Sequence, residues 1–182
     1  MEERILAQGC REGDDTARRE LYDRYAARLT AVCLRYAGDR AAAEDLVHDA
    51  FLKIYGAFDR FEYRGPGSLR AWMERIAVNM ALEWLRRRNR SGIVALDENR
   101  IPEPVEEPES SEIATIPQQE LLRFVAELPE GYRTVFNLYC IEEYSHREIA
   151  QMLGINEKSS SSQLFRARAL LARKVREYLQ TH

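Results

Sequence analysis

The first half of the chain alternates long amphipathic stretches with short polar breaks. Apolar residues recur three and four positions apart over residues 16–37, 40–55 and 68–88, which places them on one face of an α-helix. The predicted inward residues are Leu21, Tyr25, Leu29, Val32, Cys33 and Tyr36, then Ala43, Leu46, Val47, Ala50, Phe51 and Ile54, then Leu69, Trp72, Met73, Ile76, Ala77, Met80 and Trp84. Three helices of this length can bury one shared core, so we expect a three-helix domain.

Capping and turn residues separate these stretches. Residues suited to N-caps precede the three helices: Asp14 or Asp15, Asp39 and Ser68. Gly38 is expected to stop the first helix, and Gly56 to end the second in the left-handed conformation. A connector rich in aromatic residues and glycine, residues 58–67, then leads to the third helix, and its rings are of a kind that stacks on unpaired bases.

A second helical pattern lies near the C-terminus and predicts a helix-turn-helix. Ser145 and Glu148 have the spacing of a capping box, and an apolar stripe follows them. Gly154 suits the sharp turn, and Asn156 can cap a second helix that begins at Glu157. A second helix held at a steep angle can enter the major groove of DNA, although an ordinary helical hairpin would show much of the same pattern.

The second helix of this motif has a small, polar outer face. Helical spacing places Ser160 inward with Leu164 and Ala167, where its hydroxyl can bond back to the carbonyl one turn earlier. The predicted groove-reading residues are Lys158, Ser159, Ser161, Ser162, Phe165 and Arg166. With so few cations among them, we expect the isolated domain to bind duplex DNA weakly.

Charge divides the chain of 182 residues into three segments. Residues 1–96 carry 17 Lys and Arg against 15 Asp and Glu, and residues 118–182 carry 9 against 8. Between them, residues 97–117 hold seven acids, one arginine and four prolines, which is typical of a flexible acidic linker. The sequence therefore predicts an all-α protein with two small helical domains joined by this linker.

Polar residues form coherent faces on two of the N-terminal helices. Glu44, Asp45, His48, Asp49 and Lys53 lie outside the apolar stripe of the second helix on one exposed surface. On the third helix, Arg75, Asn79, Glu83 and Arg86 share a face, and the helix ends in the cluster Arg86, Arg87 and Arg88. Solvation of a charged face and complementarity to the helix dipole explain part of this arrangement of arginines. A cluster of three arginines nevertheless favours a role in binding phosphate.

Composition excludes several other classes of protein. No apolar run approaches the ~20 residues that span a membrane, and the N-terminus lacks a signal-peptide core, so we expect a cytoplasmic protein without membrane insertion. The three cysteines and three histidines show no disulfide framework and no metal-ligand spacing. His48 with Asp45 or Asp49 has no accompanying nucleophile, so we expect no enzyme, no catalytic residues and no cofactor.

Four segments together resemble bacterial sigma factors of the extracytoplasmic-function type. They are AEDLVHDAFLKIY at 43–55, FEYRGPGSLRAWMERIAVNMALEWLRRR at 61–88, LPEGYRTVFNLYCIEEYSHREIAQMLGINE at 128–157 and QLFRARALL at 163–171. They occur in the family's order, with the linker between them. The first two correspond to sigma region 2 and the last two to region 4, and the resemblance implies three partners: core RNA polymerase, promoter DNA and an anti-sigma factor.

The resemblance also implies roles for matching positions. Glu44, Asp45, His48, Asp49 and Lys53 would bind the polymerase, with His48 where relatives often have glutamine. Phe61, Tyr63, Arg64, Ser68, Arg75, Asn79 and Arg86–Arg88 would bind melted −10 DNA, and Lys158, Ser159, Ser161, Ser162, Phe165 and Arg166 would read the −35 duplex. A conventional helix-turn-helix regulator with a helical sensor domain is the alternative, but it leaves the aromatic and arginine residues at 58–90 unexplained.

Overall fold

Helices account for the regular structure of both parts of the chain. The computed structural model describes residues 1–88 and 107–181, and within these ranges it contains helices and turns but no strand. The chain divides into two units after Arg88. The predicted all-α class with two helical domains is therefore confirmed. No helix in the described ranges is both long enough and apolar enough to cross a bilayer.

Four α-helices build the first unit. They are α1 (Glu3–Glu12), α2 (Asp15–Ala37), α3 (Arg40–Tyr55) and α4 (Ser68–Arg88), with a short 3-10 turn at Phe58–Arg60 between the last two. Helices α2, α3 and α4 are the three predicted from sequence. Each of them packs on the other two, and α2 also packs on α1. This arrangement buries one core in the first unit.

Helix α1 was not expected and corrects the three-helix prediction. Leu6, Ala7 and Cys10 are its buried face. Gly9 lies in the middle of α1 and lowers the local helix propensity, so the sequence does not predict this helix. A Cβ at Gly9 would lie only 2.7 Å from the Cβ of Ala17, so glycine is required for α1 and α2 to approach this closely.

The buried face of α4 turns along its length. Leu69, Met73 and Ala77 are buried as predicted, but the buried residues beyond them are Val78, Ala81, Leu82 and Leu85. Ile76, Met80 and Trp84, which were predicted to face inward, are only half-buried. Helix α4 packs on both α2 and α3, so the buried part of its surface is wider than the single row of apolar residues predicted. The predicted row lies along one edge of this buried surface.

Of the five residues predicted to cap or end helices of the first unit, Asp14, Asp39 and Gly38 do so as predicted, whereas Gly56 and Ser68 do not. Asp14 and Asp39 accept hydrogen bonds from backbone N–H groups two and three residues on, at 2.8 and 2.9 Å. Gly38 ends α2 in the left-handed region, with φ 69°. The expectation for Gly56 was wrong: its φ is −75°, so the chain leaves α3 through a right-handed turn that any residue can adopt.

In the described part of the second unit, residues 107–181, there are five further helices. They are α5 (Ser110–Ile113), α6 (Gln118–Ala126), α7 (Glu130–Phe136), α8 (His146–Leu153) and α9 (Glu157–Thr181), and a π-helical turn at Asn137–Ile141 extends α7. The long α9 packs on α6, α7 and α8. Helix α9 is therefore the central helix of this unit, on which the others pack.

The second unit begins before the predicted boundary at residue 118. Ile116 is buried with Phe124 of α6 and Val175 of α9, and Ile113 packs against the same cluster. Glu112 of α5 also lies 3.3 Å from Arg176 of α9. Residues 109–117 are therefore part of a folded unit rather than a flexible linker, because two isoleucines among the acids and prolines bury on α9. The remainder of the predicted linker, residues 97–106, lies outside the described residues.

The cysteines divide into two buried thiols and one exposed thiol. Cys10 and Cys33 are buried, and Cys140 is exposed. Burial raises the pKa of Cys10 to about 11 and that of Cys33 to about 12, because apolar surroundings disfavour the thiolate. These two are structural thiols at neutral pH, whereas Cys140 is not part of the core.

Candidate polymerase and nucleic-acid interfaces

The polar face predicted on the second helix is exposed on α3. Its five residues, Glu44, Asp45, His48, Asp49 and Lys53, all project into solvent. Ion pairs restrain these side chains only weakly, because the Arg40–Glu44 pair at 2.9 Å and the His48–Asp49 pair at 3.9 Å are both exposed to solvent. The face is therefore available to a partner.

Sequence reasoning missed an apolar residue on this face. Leu52 is 59% exposed and follows Asp45, His48 and Asp49 at helical spacing. The predicted apolar stripe ran through its neighbours Phe51 and Ile54, so Leu52 was not singled out. An apolar side chain surrounded by charged groups is the arrangement of a protein–protein interface, with an apolar centre and a polar rim. We call Leu52 and the five polar residues the α3 face.

The connector contains a buried aromatic cluster. The rings of Phe58 and Phe61 lie 5.3 and 4.9 Å from the ring of Trp72 on α4, measured between centroids. Phe61 is only 3% exposed, so its predicted role in stacking on a DNA base is corrected: the ring packs in the core of the unit. Tyr63, two residues on, is 37% exposed and is the aromatic ring of the connector that a base can reach.

Ser68 closes the connector instead of capping α4. Its hydroxyl donates to the carbonyl of Gly65 at 2.7 Å and accepts from the backbone N–H of Arg64 at 3.2 Å. Gly65 and Gly67 have φ of 122° and 85°, values that favour glycine, so the turn depends on both. The N–H groups at the start of α4 are instead capped by a residue distant in sequence, Glu3 of α1.

The polar face predicted on α4 is exposed throughout. Its members are Arg75, Asn79, Glu83, Arg86, Arg87 and Arg88. Arg87 pairs with Glu83 one turn earlier, and the Arg88 guanidinium lies 5.2 Å from the centre of the Trp84 ring. These contacts hold two of the three terminal arginines near the helix while leaving them accessible to phosphate. Arg75 and Asn79 lie nearer the connector along the same helix.

In the second unit, the capping box predicted from sequence is present. Ser145 Oγ accepts from the Glu148 N–H at 3.3 Å, and the Glu148 carboxylate accepts from the Ser145 N–H at 2.8 Å. The bonds from the Ser145 hydroxyl and N–H lower the pKa of Glu148. Gly154 then turns the chain with φ 68°, and Asn156 caps α9 through a 2.7 Å bond from the Ser159 N–H. Helices α8 and α9 therefore form the predicted helix-turn-helix.

The outer face of α9 presents the predicted residues to different extents. Lys158, Ser161 and Phe165 are exposed, whereas Ser159, Ser162 and Arg166 are half-buried. Phe165 is 57% exposed, an unusual position for a phenylalanine. These six residues form what we call the α9 face.

Ser160 is buried on the inner side of α9, as predicted, but its hydroxyl bond differs from the expected one. Ser160 Oγ lies 2.9 Å from Nδ1 of His146, at the start of α8, and does not bond the carbonyl one turn earlier. The His146 ring stacks on Tyr139 with a centroid distance of 4.5 Å. This contact joins α8 to α9, which also pack directly on each other.

Comparison with known proteins agrees with this geometry. Residues 21–91 match the family model of sigma-70 region 2, and residues 118–171 match that of sigma-70 region 4. The ECF RNA polymerase sigma factor SigE of Mycolicibacterium smegmatis is 30% identical over 90% of this chain, which spans 62% of that protein. The ECF RNA polymerase sigma-E factor of Escherichia coli K12 is 28% identical over 99% of this chain and 97% of that protein.

A solved structure shares the fold. The sigma factor RpoE of Bartonella quintana, in complex with the anti-sigma factor NepR, superposes with a TM-score of 0.51 at 22% identity, covering 87% of this chain and 96% of that chain. Since two family models together match most of the chain, it belongs to the sigma-70 family, in the extracytoplasmic-function group, whose members direct transcription initiation.

Proposed function

We propose that this sigma factor binds core RNA polymerase through the α3 face and reads promoters with two separate surfaces. The first unit captures melted −10 DNA, and the second reads the −35 element as duplex. The observation that carries this proposal is that each of the three sets contains exposed residues: the whole α3 face, Tyr63 and Arg64 with the polar face of α4, and Lys158, Ser161 and Phe165 of the α9 face. Bond formation is left to the polymerase, so the chain needs no catalytic group of its own.

Docking on the polymerase is assigned to the α3 face. Leu52 would enter an apolar pocket of the partner, and Asp45 and Asp49 would pair with cations at its rim. His48 stands where relatives often have glutamine, and either side chain donates or accepts a hydrogen bond. Burial of a leucine side chain is worth ~2 kcal/mol, so Leu52 would supply a large share of the affinity at this contact.

Recognition of the −10 element is assigned to the connector and α4. Tyr63 offers an exposed ring for stacking, and the exposed Arg64 and Asn79 offer hydrogen-bond donors. Extracting a base from a duplex costs a few kcal/mol, which these contacts must offset. Arg86–Arg88 at the end of α4 would hold the phosphate backbone.

Recognition of the −35 element is assigned to the α9 face. Arg166 can form a bidentate contact with a guanine, and the exposed Phe165 ring can contact the methyl group of thymine. The serines at 159, 161 and 162 can bond to bases or phosphates but carry no charge. Because the face has only two cations, we expect its grip on duplex DNA to depend on the polymerase.

Regulation by an anti-sigma factor is part of the proposal, as is action in the cytoplasm, where polymerase and promoter DNA occur in bacteria. A bound inhibitor would need to cover at least one of the surfaces above. The α3 face suits such a partner best, because Leu52 leaves an apolar centre exposed in the free protein.

Band-shift titration of promoter duplex separates this proposal from a regulator that binds DNA unaided. We expect the purified chain alone to bind promoter duplex no more tightly than an unrelated duplex. With core polymerase present, the same chain should give a promoter-specific complex. Tight, specific binding by the chain alone would support the conventional helix-turn-helix regulator instead.

A further inference from the structure

Helix α1 grips the connector at both ends, and from this we propose a role for two of its residues. Glu3 and Arg11 are positioning residues that hold the connector in the shape that receives melted −10 DNA. This inference rests on the proposed role of the connector in −10 recognition. Helix α1 lies before the segment that matches sigma-70 region 2, which begins at residue 21.

The downstream end of the connector is fixed by Glu3. One carboxylate oxygen accepts from the N–H of Gly67 at 2.7 Å, and the other accepts from the N–H of Leu69 at 2.7 Å. These N–H groups lie at the start of α4, where a helix offers them no internal acceptor. A carboxylate at this place also complements the positive end of the helix dipole. Glu3 thus supplies, from 64 residues away, the cap that Ser68 does not.

The upstream end is fixed by Arg11, in the last turn of α1. Its Nε donates to the carbonyl of Phe58 at 3.2 Å, and its guanidinium also donates to the carbonyl of Phe61. The rings of these two phenylalanines pack on Trp72 of α4. The backbone and the side chains at this end are therefore both held.

Between the two anchors lie Glu62 to Pro66, which include the exposed Tyr63 and Arg64. The side-chain contacts of this stretch are local: Arg64 pairs with Glu62 at 3.2 Å, and Ser68 closes the turn. Helix α1 is a firm base for the anchors because Leu6, Ala7 and Cys10 are buried in the core. A loop ordered before it binds loses less conformational entropy on binding, so the anchors should raise affinity for −10 DNA without touching it.

The test compares Glu3→Ala with Glu2→Ala. Glu2 precedes Glu3, is exposed, and makes no side-chain capping bond, so its replacement removes the same charge without removing the anchor. Each full-length variant is combined with core polymerase and titrated against two probes from a promoter mapped with the wild-type protein. One probe is forked DNA with a single-stranded −10 segment, and the other is the −35 duplex.

We expect Glu3→Ala to lower affinity for the forked probe by about three- to tenfold, the range that loss of a helix cap implies. Affinity for core polymerase and for the −35 duplex should stay at the wild-type value, and Glu2→Ala should match wild type on both probes. Glu3→Gln should fall between wild type and Glu3→Ala, since its amide oxygen can still accept one of the two bonds. Arg11→Ala should resemble Glu3→Ala.

Amide hydrogen exchange in the free chain provides the second readout. The Gly67 and Leu69 amides should exchange faster in Glu3→Ala, while the amides of α2 keep their protection. Faster exchange at these two sites with unchanged affinity for the forked probe would overturn the inference, as would a Glu3→Ala variant that matches Glu2→Ala in both measurements. If the wild-type holoenzyme fails to bind the forked probe, the proposed function itself is wrong.

Discussion

A single pair of side chains, Ser145 and Glu148, determines where α8 begins. Each accepts a hydrogen bond from the backbone N–H of the other, so two otherwise unpaired donors at the helix start are satisfied. Helix α8 in turn contacts α9, where His146 of its first turn lies within hydrogen-bond distance of Ser160. This local pair therefore stabilises the helix that packs behind the proposed DNA-reading face of α9.

Replacing Ser145 by alanine should lower the free energy of unfolding of the second unit by about 1 kcal/mol.

The variant Glu148→Gln, which has no carboxyl group to ionise at this position, tests how the stabilisation by Glu148 depends on pH. The pKa of Glu148 is lowered from 4.5 by its bonds to Ser145, so the stabilisation is complete above pH 4.5 and is lost as pH falls through the lowered value. Urea titrations of wild type and Glu148→Gln should therefore differ at pH 7 and converge at the acid end. A difference that persists unchanged at low pH would contradict this assignment.

The roles of some residues could be predicted from the sequence, and the roles of others could not. Asp39, Ser145 and Asn156 act within three residues of themselves, so spacing alone identified them. Glu3 caps a helix 64 residues away, and Phe61 turns inward because Trp72 lies beside it. Both depend on contacts between distant segments, which a single sequence does not display.

Three helices, α3, α4 and α9, carry the proposed interfaces. Helix α3 presents a continuous exposed face, α4 presents arginines at its end, and α9 presents the partly exposed, mostly polar α9 face. Long, strongly periodic helices were predicted within one residue of their observed bounds. The short helices α1, α5, α6 and α7 were not predicted, because a stretch of at most ten residues holds few apolar positions, and each of these helices is stabilised by packing on a longer one.

Leu52→Asp should weaken binding to core polymerase by about 2 kcal/mol, which is roughly 30-fold in Kd. The reason is that an apolar anchor would be replaced by a charge in the centre of the contact. Leu34→Asp is the matched control, since Leu34 is a partly exposed leucine of α2 in the same unit. Binding measured by surface plasmon resonance should be near wild type for the control. Equal affinity of both variants would remove Leu52 from the interface.

Arg166→Ala should lower holoenzyme affinity for its promoter by roughly 1–3 kcal/mol if Arg166 makes a bidentate base contact. Arg168→Ala, on the same helix and exposed, changes the charge by the same amount and should have a smaller effect. Competition titrations with −35 sequence variants provide the measurement, and the Arg166 variant should also discriminate less at one base pair. An unchanged promoter affinity would exclude Arg166 from base reading.

The chain has a net charge of −3, but its acids are unevenly distributed along the sequence: residues 97–117 hold seven acids and one arginine, whereas residues 1–96 and 118–182 each carry a small excess of Lys and Arg. This distribution explains how a DNA-reading protein can be acidic as a whole, because in sequence the acidic stretch lies outside the polar residues of α4 and outside the α9 face. Nonspecific affinity for DNA grows with the number of phosphates neutralised, so a chain with this charge should bind DNA weakly without its partner. Promoter choice then becomes a property of the assembled holoenzyme.

Transcription in vitro with start-site mapping tests this account most directly. Core polymerase, promoter-containing DNA and nucleotides are combined with and without the purified chain, and RNA 5′ ends are mapped. We predict discrete start sites that depend on the wild-type chain and that weaken with Leu52→Asp. Identical transcripts in the presence and absence of the chain, with no complex between the chain and core polymerase, would contradict the account.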